Sequence, residues 1–105
     1  MVKLVESVKV LVAGELKGAN ENFPMFRSTH EGYAIIIEEV EEAEIEMTTV
    51  KNNIGYSWDL IKGNQSATSM IKTVRSRAVL LAAEAIQVAA MCQKFIDSNL
   101  SEVNK

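Results

Sequence analysis

The chain has 105 residues, 48% of them apolar and 24% charged, which provides for a single domain, residues 1–105, with a modest core. Cys92 is the only cysteine, so disulfide frameworks and cysteine zinc sites are excluded. No uninterrupted apolar run approaches the roughly 18 residues of a membrane span, and Lys3, Glu6 and Lys9 break up the N-terminal segment where a secretory signal needs an unbroken apolar centre, so a cytoplasmic, membrane-free protein is expected.

One proline and few alternating β-branched runs predict an all-α fold. The first helix is expected over residues 2–22, with Leu4, Val8 and Leu11 on one stripe and Val5, Val12 and Leu16 beside it, and Pro24 marks its end. Phe23, Met25 and Phe26 form an apolar connector that should pack. Ser28 followed by Glu31 is a capping box that opens the second helix. Along that helix Ile36, Val40, Ala43, Met47, Val50 and Ile54 recur at intervals of four and three, a heptad-type seam. Asn52, Asn53 and Gly55 predict a break or kink, with a short helical piece near Tyr56, Trp58, Leu60 and Ile61. Residues 63–69 read as a loop. The third and longest helix carries Ile71, Val74, Ala78, Leu81, Ala85, Val88, Cys92 and Phe95 on one seam and Leu80, Ile86 and Met91 on a second strip, with six alanines in residues 78–90. Three helices with apolar surface on several sides cannot close a core alone. A four-helix-type bundle completed by oligomerisation is therefore expected, as a dimer or tetramer.

The net charge of −3 conceals an uneven distribution. Residues 1–60 hold eleven acidic and five basic side chains, and residues 61–105 hold three and six. Six of the nine residues 38–46 are glutamate, and no Lys or Arg lies between Arg27 and Lys51. Glutamates three and four apart on a helix repel by about 0.2–0.5 kcal/mol per pair. The compensation has two candidate sources. One is solvent, or salt bridges to Lys72, Arg75 and Arg77 on an antiparallel neighbour. The other is a divalent cation, since Mg²⁺ prefers hard oxygen ligands and is held by a few carboxylates together with substrate phosphates. At 100° per residue, Glu39, Glu46 and Glu42 fall at about −60°, −80° and −120° from the seam centre, and Glu39 and Glu42, one turn apart, project together at the border of the buried face. Glu84 borders the third-helix seam in the same way, and Gln87 lies one turn beyond it.

Glu38, Glu39 and Glu42 form an EExxE pattern, followed on a later helix by Glu84 in the string EAIQVAAM. With the segment FRSTHEGYAIIIEEVEE at residues 26–42, the whole resembles the MazG-like, all-α nucleoside triphosphate pyrophosphohydrolases, in particular their phage and bacterial branch. The resemblance spans about residues 23–47 and 75–97. It implies Mg²⁺-dependent (or Mn²⁺-dependent) cleavage of a nucleotide between its α and β phosphates, with Glu39, Glu42 and Glu84 as metal ligands and Glu38 beside them activating water. The family's second motif is ExxD, and here Gln87 stands where that aspartate would be. An amide can coordinate through its carbonyl oxygen but adds no charge, so the cation should be held less tightly.

Other candidates are secondary. His30 is the only histidine and has neither a second histidine nor a nucleophile to work with; it becomes a substrate contact only through the resemblance. Tyr33 and Trp58 can stack on a base or serve as packing, and Lys72 and Arg75 can meet phosphate oxygens or pair with the glutamates. A glycine-rich phosphate loop is absent, and no strip of interleaved basic and aromatic residues suggests a nucleic-acid partner. The expected function is therefore a homo-oligomeric nucleotide pyrophosphohydrolase, and the alternative is a nucleotide- or metal-binding module of the same fold that lacks hydrolysis.

Overall fold

A computed structural model describes residues 1–100, and these form three helices and no strand: α1 Val2–Asn22, α2 Thr29–Lys62 and α3 Thr68–Asp97. Each boundary has a local cause. Phe23 leaves α1 in extended conformation (φ −137°, ψ 147°), as the residue before a proline must. Ser28 caps α2, its hydroxyl accepting from the Glu31 amide at 3.1 Å. Only half of the expected capping box forms, because the Glu31 carboxylate lies 3.4 Å from Arg27 Nε instead of reaching back. α2 closes in a Schellman motif. Asn64 takes the left-handed conformation (φ 58°) and donates to the Ile61 carbonyl at 3.0 Å, while Gln65 donates to Leu60 at 2.9 Å.

The break predicted at Asn52, Asn53 and Gly55 does not occur. α2 runs unbroken through them and absorbs the short piece expected around Trp58. A glycine inside a helix costs about 1 kcal/mol, but packing along the whole length of α3 offsets it. Ser57, only 2% exposed, sits at that contact with its hydroxyl donating to the Asn53 carbonyl at 2.9 Å.

α2 and α3 form an antiparallel hairpin, with Gly32 beside Phe95 at one end and Glu46 beside Arg77 further along. α1 lies parallel to α3, in a register 72 residues apart: Gln87 bonds Glu15, and the Phe26 amide donates to Ser98 Oγ at 3.1 Å. Among the described residues the backbone of α1 approaches α3 but not α2. The two outer helices therefore stand apart over α3, leaving a groove whose floor is α3.

The core is small. Phe26, Ala90 and Met91 are its buried apolar residues, backed by Val12, Leu16, Ala19, Ile35, Ile36 and Phe95. Gly32 is buried because α2 passes directly over two rings: a Cβ there would overlap Phe95 Cδ2 and stand 2.9 Å from Phe95 Cε2 and 3.1 Å from Phe26 Cδ2. Gly32 thus permits a close approach of two side-chain rings to the α2 backbone. Elsewhere the seams stay open. Cys92, expected inside the α3 seam, is exposed, as are Ala78 and Ala85. The molecule measures 61 × 29 × 24 Å with a radius of gyration of 18.0 Å, against about 13 Å for a compact domain of this length. α3 is long and apolar enough to cross a membrane by length and composition; those properties also describe the central helix of a bundle, and α3 contacts both other helices.

Candidate metal centre in the helical groove

The groove gathers its carboxylates by helical spacing. Glu39 and Glu42 lie one turn apart on α2 and face Glu84 on α3, so that one ligand oxygen from each lies within 4.8 Å of the others. Among the described residues no Lys or Arg pairs with any of the three, since the salt bridges join Glu6 to Lys9, Glu31 to Arg27, Asp59 to Lys62 and Glu46 to Arg77. The crowding shows in acidity. Partial burial, and then the charges of Glu42, Glu84 and Glu38, raise the Glu39 carboxyl above its ordinary value of 4.5. Burial and the neighbouring Glu42 and Glu46 do the same for Glu84.

Glu46, which the motif leaves out but which helical phase sets on the same border between Glu39 and Glu42, extends the cluster. Its Oε1 lies 3.6 Å from Arg77, while its Oε2 is buried with no hydrogen-bond partner among the described residues. A buried carboxylate oxygen without a donor is unfavourable. Its position four residues beyond Glu42, on the same helix face, was the available signal. Arg77 is also the member of the basic trio that meets the glutamate run, so the expected salt-bridge compensation is present at Glu46, while Glu39, Glu42 and Glu84 beside it pair with no Lys or Arg among the described residues.

The structure brings together only part of the sequence-derived site. Glu38 is exposed on the flank of the trio, close enough to raise Glu39 by its charge. Gln87 points to α1, its amide donating to Glu15 Oε2 at 2.7 Å. That bond is a second feature the sequence reading missed, because nothing in the local pattern sets the α1 register. His30 and Tyr33 line a separate open cavity of about 460 Å³ with Ile36 and Phe95, away from the face that carries Glu39. Trp58 is more than half exposed, with Lys62 5.8 Å from its ring centre, and stands sixteen residues, about 24 Å along α2, from Glu42. Lys72 and Arg75 border another depression with Ile71, nine or more residues before Glu84, at least about 13 Å along α3. Within one chain these five do not reach the carboxylates.

Three carboxylates at this spacing, crowded and without a protein cation, suit a hard divalent ion such as Mg²⁺ or Mn²⁺. Nitrogen and sulfur ligands are missing from the cluster, which argues against zinc. Comparison of the chain with protein-family models, with curated proteins and with solved structures gives no match.

Proposed function

We propose that the protein is a divalent-metal-dependent nucleotide pyrophosphohydrolase, cleaving a (deoxy)nucleoside triphosphate into monophosphate and pyrophosphate. The observation that carries this reading is the trio of Glu39, Glu42 and Glu84, converging from the α2 wall and the α3 floor of an open groove with no Lys or Arg paired to it among the described residues. A bound Mg²⁺ supplies positive charge for the phosphates and lowers the pKa of attacking water. The side chains divide the remaining work. Glu39, Glu42 and Glu84 hold and orient the ion through oxygens already gathered before ligand arrives. Glu38, exposed beside the trio, is the carboxylate this reading assigns to accept a proton from the attacking water. The resemblance of residues 26–42 and 84–91 to MazG-like enzymes supports the choice of nucleotide as substrate.

Self-association belongs to the same reading. The accessible surface of 7605 Å² exceeds the roughly 5,800 Å² of a compact monomer of this mass. On the side of the hairpin away from the carboxylates, Val40, Ala43, Met47, Leu81 and Val88 line an open trough of about 340 Å³. A second hairpin laid into that trough completes a four-helix arrangement. Val10, Val79 and Leu80 remain further apolar surface.

The test is pyrophosphate release across the ribo- and deoxynucleoside triphosphates with Mg²⁺ and with Mn²⁺. Loss of release in Glu42→Ala, with helicity retained, is the expected outcome. A wild-type protein that releases none from any of them rules the hydrolase out. One observation favours the alternative, a binding module without turnover: Gln87, at the position of the family's aspartate, is engaged by Glu15. Calorimetry showing Mg²⁺-dependent nucleotide binding without products would establish it.

A further inference from the structure

At the end of the groove where α1 gives way to the connector there is a cavity of about 440 Å³, walled by Phe23, Phe26, Ile35 and Met91 and open toward Glu39. Its size falls within the range of small-molecule pockets, and its lining is mostly apolar. Lys94 also lines it. Lys94 is 2% exposed, yet no salt bridge among the described residues involves it, and its ammonium lies 5.2 Å from the Phe26 ring centre. The nearby acid, Glu31, is turned to Arg27. An ammonium offers three donors and no acceptor, and a ring face satisfies its charge only in part. The Lys94 Nζ is not sealed off without a partner but opens on the cavity, where an acceptor on a ligand can replace water.

The cavity and the carboxylates share Glu39, so a ligand can touch both. Lys94 is ten residues past Glu84, about 15 Å along α3. That separation puts it out of reach of phosphates held at the glutamates and places it at the other end of an extended nucleotide. Flat aromatic and aliphatic walls suit a heterocyclic ring, and the charged groups that line the cavity with Lys94, the paired Arg27 and Glu31 and the carboxylate of Glu39, are of both signs where a second polyanionic group would need cations alone.

We infer that this cavity takes the base of the nucleotide and that Lys94 donates to a ring carbonyl, so that bases with an oxo group at the purine 6 or pyrimidine 4 position are selected over those with an amino group there. The inference rests on the nucleotide reading above and names its substrate class: guanine, uracil and thymine over adenine and cytosine. An amino group facing the ammonium opposes donor to donor and displaces the water that would otherwise accept from it. A charge-assisted hydrogen bond of ordinary strength corresponds to a preference of about tenfold or more.

Equilibrium binding tests this apart from hydrolysis. Wild-type protein with Mg²⁺ is titrated with GMP, UMP, AMP and CMP, and with inorganic triphosphate. Lys94→Met, which keeps the length and apolar stem, is titrated in parallel after its helicity is checked. The expected result is tighter binding of GMP and UMP by about tenfold, lost in Lys94→Met, with inorganic triphosphate bound equally by both proteins. Equal binding of all four monophosphates by wild type overturns the inference, and does so whether or not the variant folds. A uniform loss for every ligand in Lys94→Met, inorganic triphosphate included, also overturns it and makes Lys94 a phosphate contact. The hydrolase reading fails separately, by absence of pyrophosphate release, and leaves this binding result interpretable.

Discussion

Replacing Glu39 with glutamine removes one charge from the trio and nothing else of size. Two unit charges 4.8 Å apart, the outer limit of the cluster, repel by about 1 kcal/mol at the dielectric of water and roughly 3.5 kcal/mol at an effective dielectric of 20. The groove is open, so the lower figure applies, and Glu39 has two such partners. The same repulsion, after burial, raises the pKa of Glu39 and of Glu84. In chelator at neutral pH, Glu39→Gln should therefore unfold about 1–2 kcal/mol later than wild type, a rise in midpoint of about 5–10 °C for a domain of this size. In saturating Mg²⁺ the order should reverse. A ligand at one hundred times its Kd stabilises the native state by about 2.7 kcal/mol, and the variant should lose most of that gain. Paired thermal scans in chelator and in Mg²⁺ read both effects. If the variant is no more stable than wild type in chelator and gains as much from Mg²⁺, the carboxylates are a solvated face and the metal reading fails.

The same raised values set a pH dependence. A carboxyl that holds its proton more tightly when folded contributes stability present below its unfolded value, and loses it as pH rises through the folded one. From 4.5 upward, the midpoint of metal-free wild type should fall relative to a Glu39→Gln, Glu84→Gln double variant; a difference that is flat or opposite in sign would contradict the crowding. Gly32→Ala gains about 1 kcal/mol of helix propensity but forces a methyl into the Phe95 ring, where overpacking costs about 1–3 kcal/mol, so a net loss is expected in denaturant titration. Phe95→Leu should recover part of it, and an unchanged midpoint in Gly32→Ala would show that the rings yield freely. Gln87→Asp restores the motif on paper yet removes the donor to Glu15 and sets a second carboxylate beside it. It should loosen α1, seen as faster amide exchange there, and Glu15→Gln should reverse the change; protection of α1 at wild-type level would separate Gln87 from α1 docking.

Much of this was already written along the chain. Apolar spacing and the serine cap placed all three helices, and helical phase set Glu39 and Glu42 together at the border of the buried face and Glu84 at the border of the α3 seam, because side-chain direction on a helix follows from residue number. What spacing cannot carry is anything set by a partner helix. The continuity of α2 through Asn52, Asn53 and Gly55 is decided by packing on α3, which outweighs local propensity. The register of α1 is decided by contacts 72 residues distant, and with it the diversion of Gln87 to Glu15. The orphaned oxygen of Glu46 and the burial of Lys94 are likewise products of assembly. A charged residue near a helix end reads as solvated in sequence, and only the approach of three segments around Phe26 and Met91 buries the Lys94 side chain. The sequence by itself determined which residues face which way; the tertiary structure decided which of those faces meet, since burial depends on the positions of atoms from distant parts of the chain.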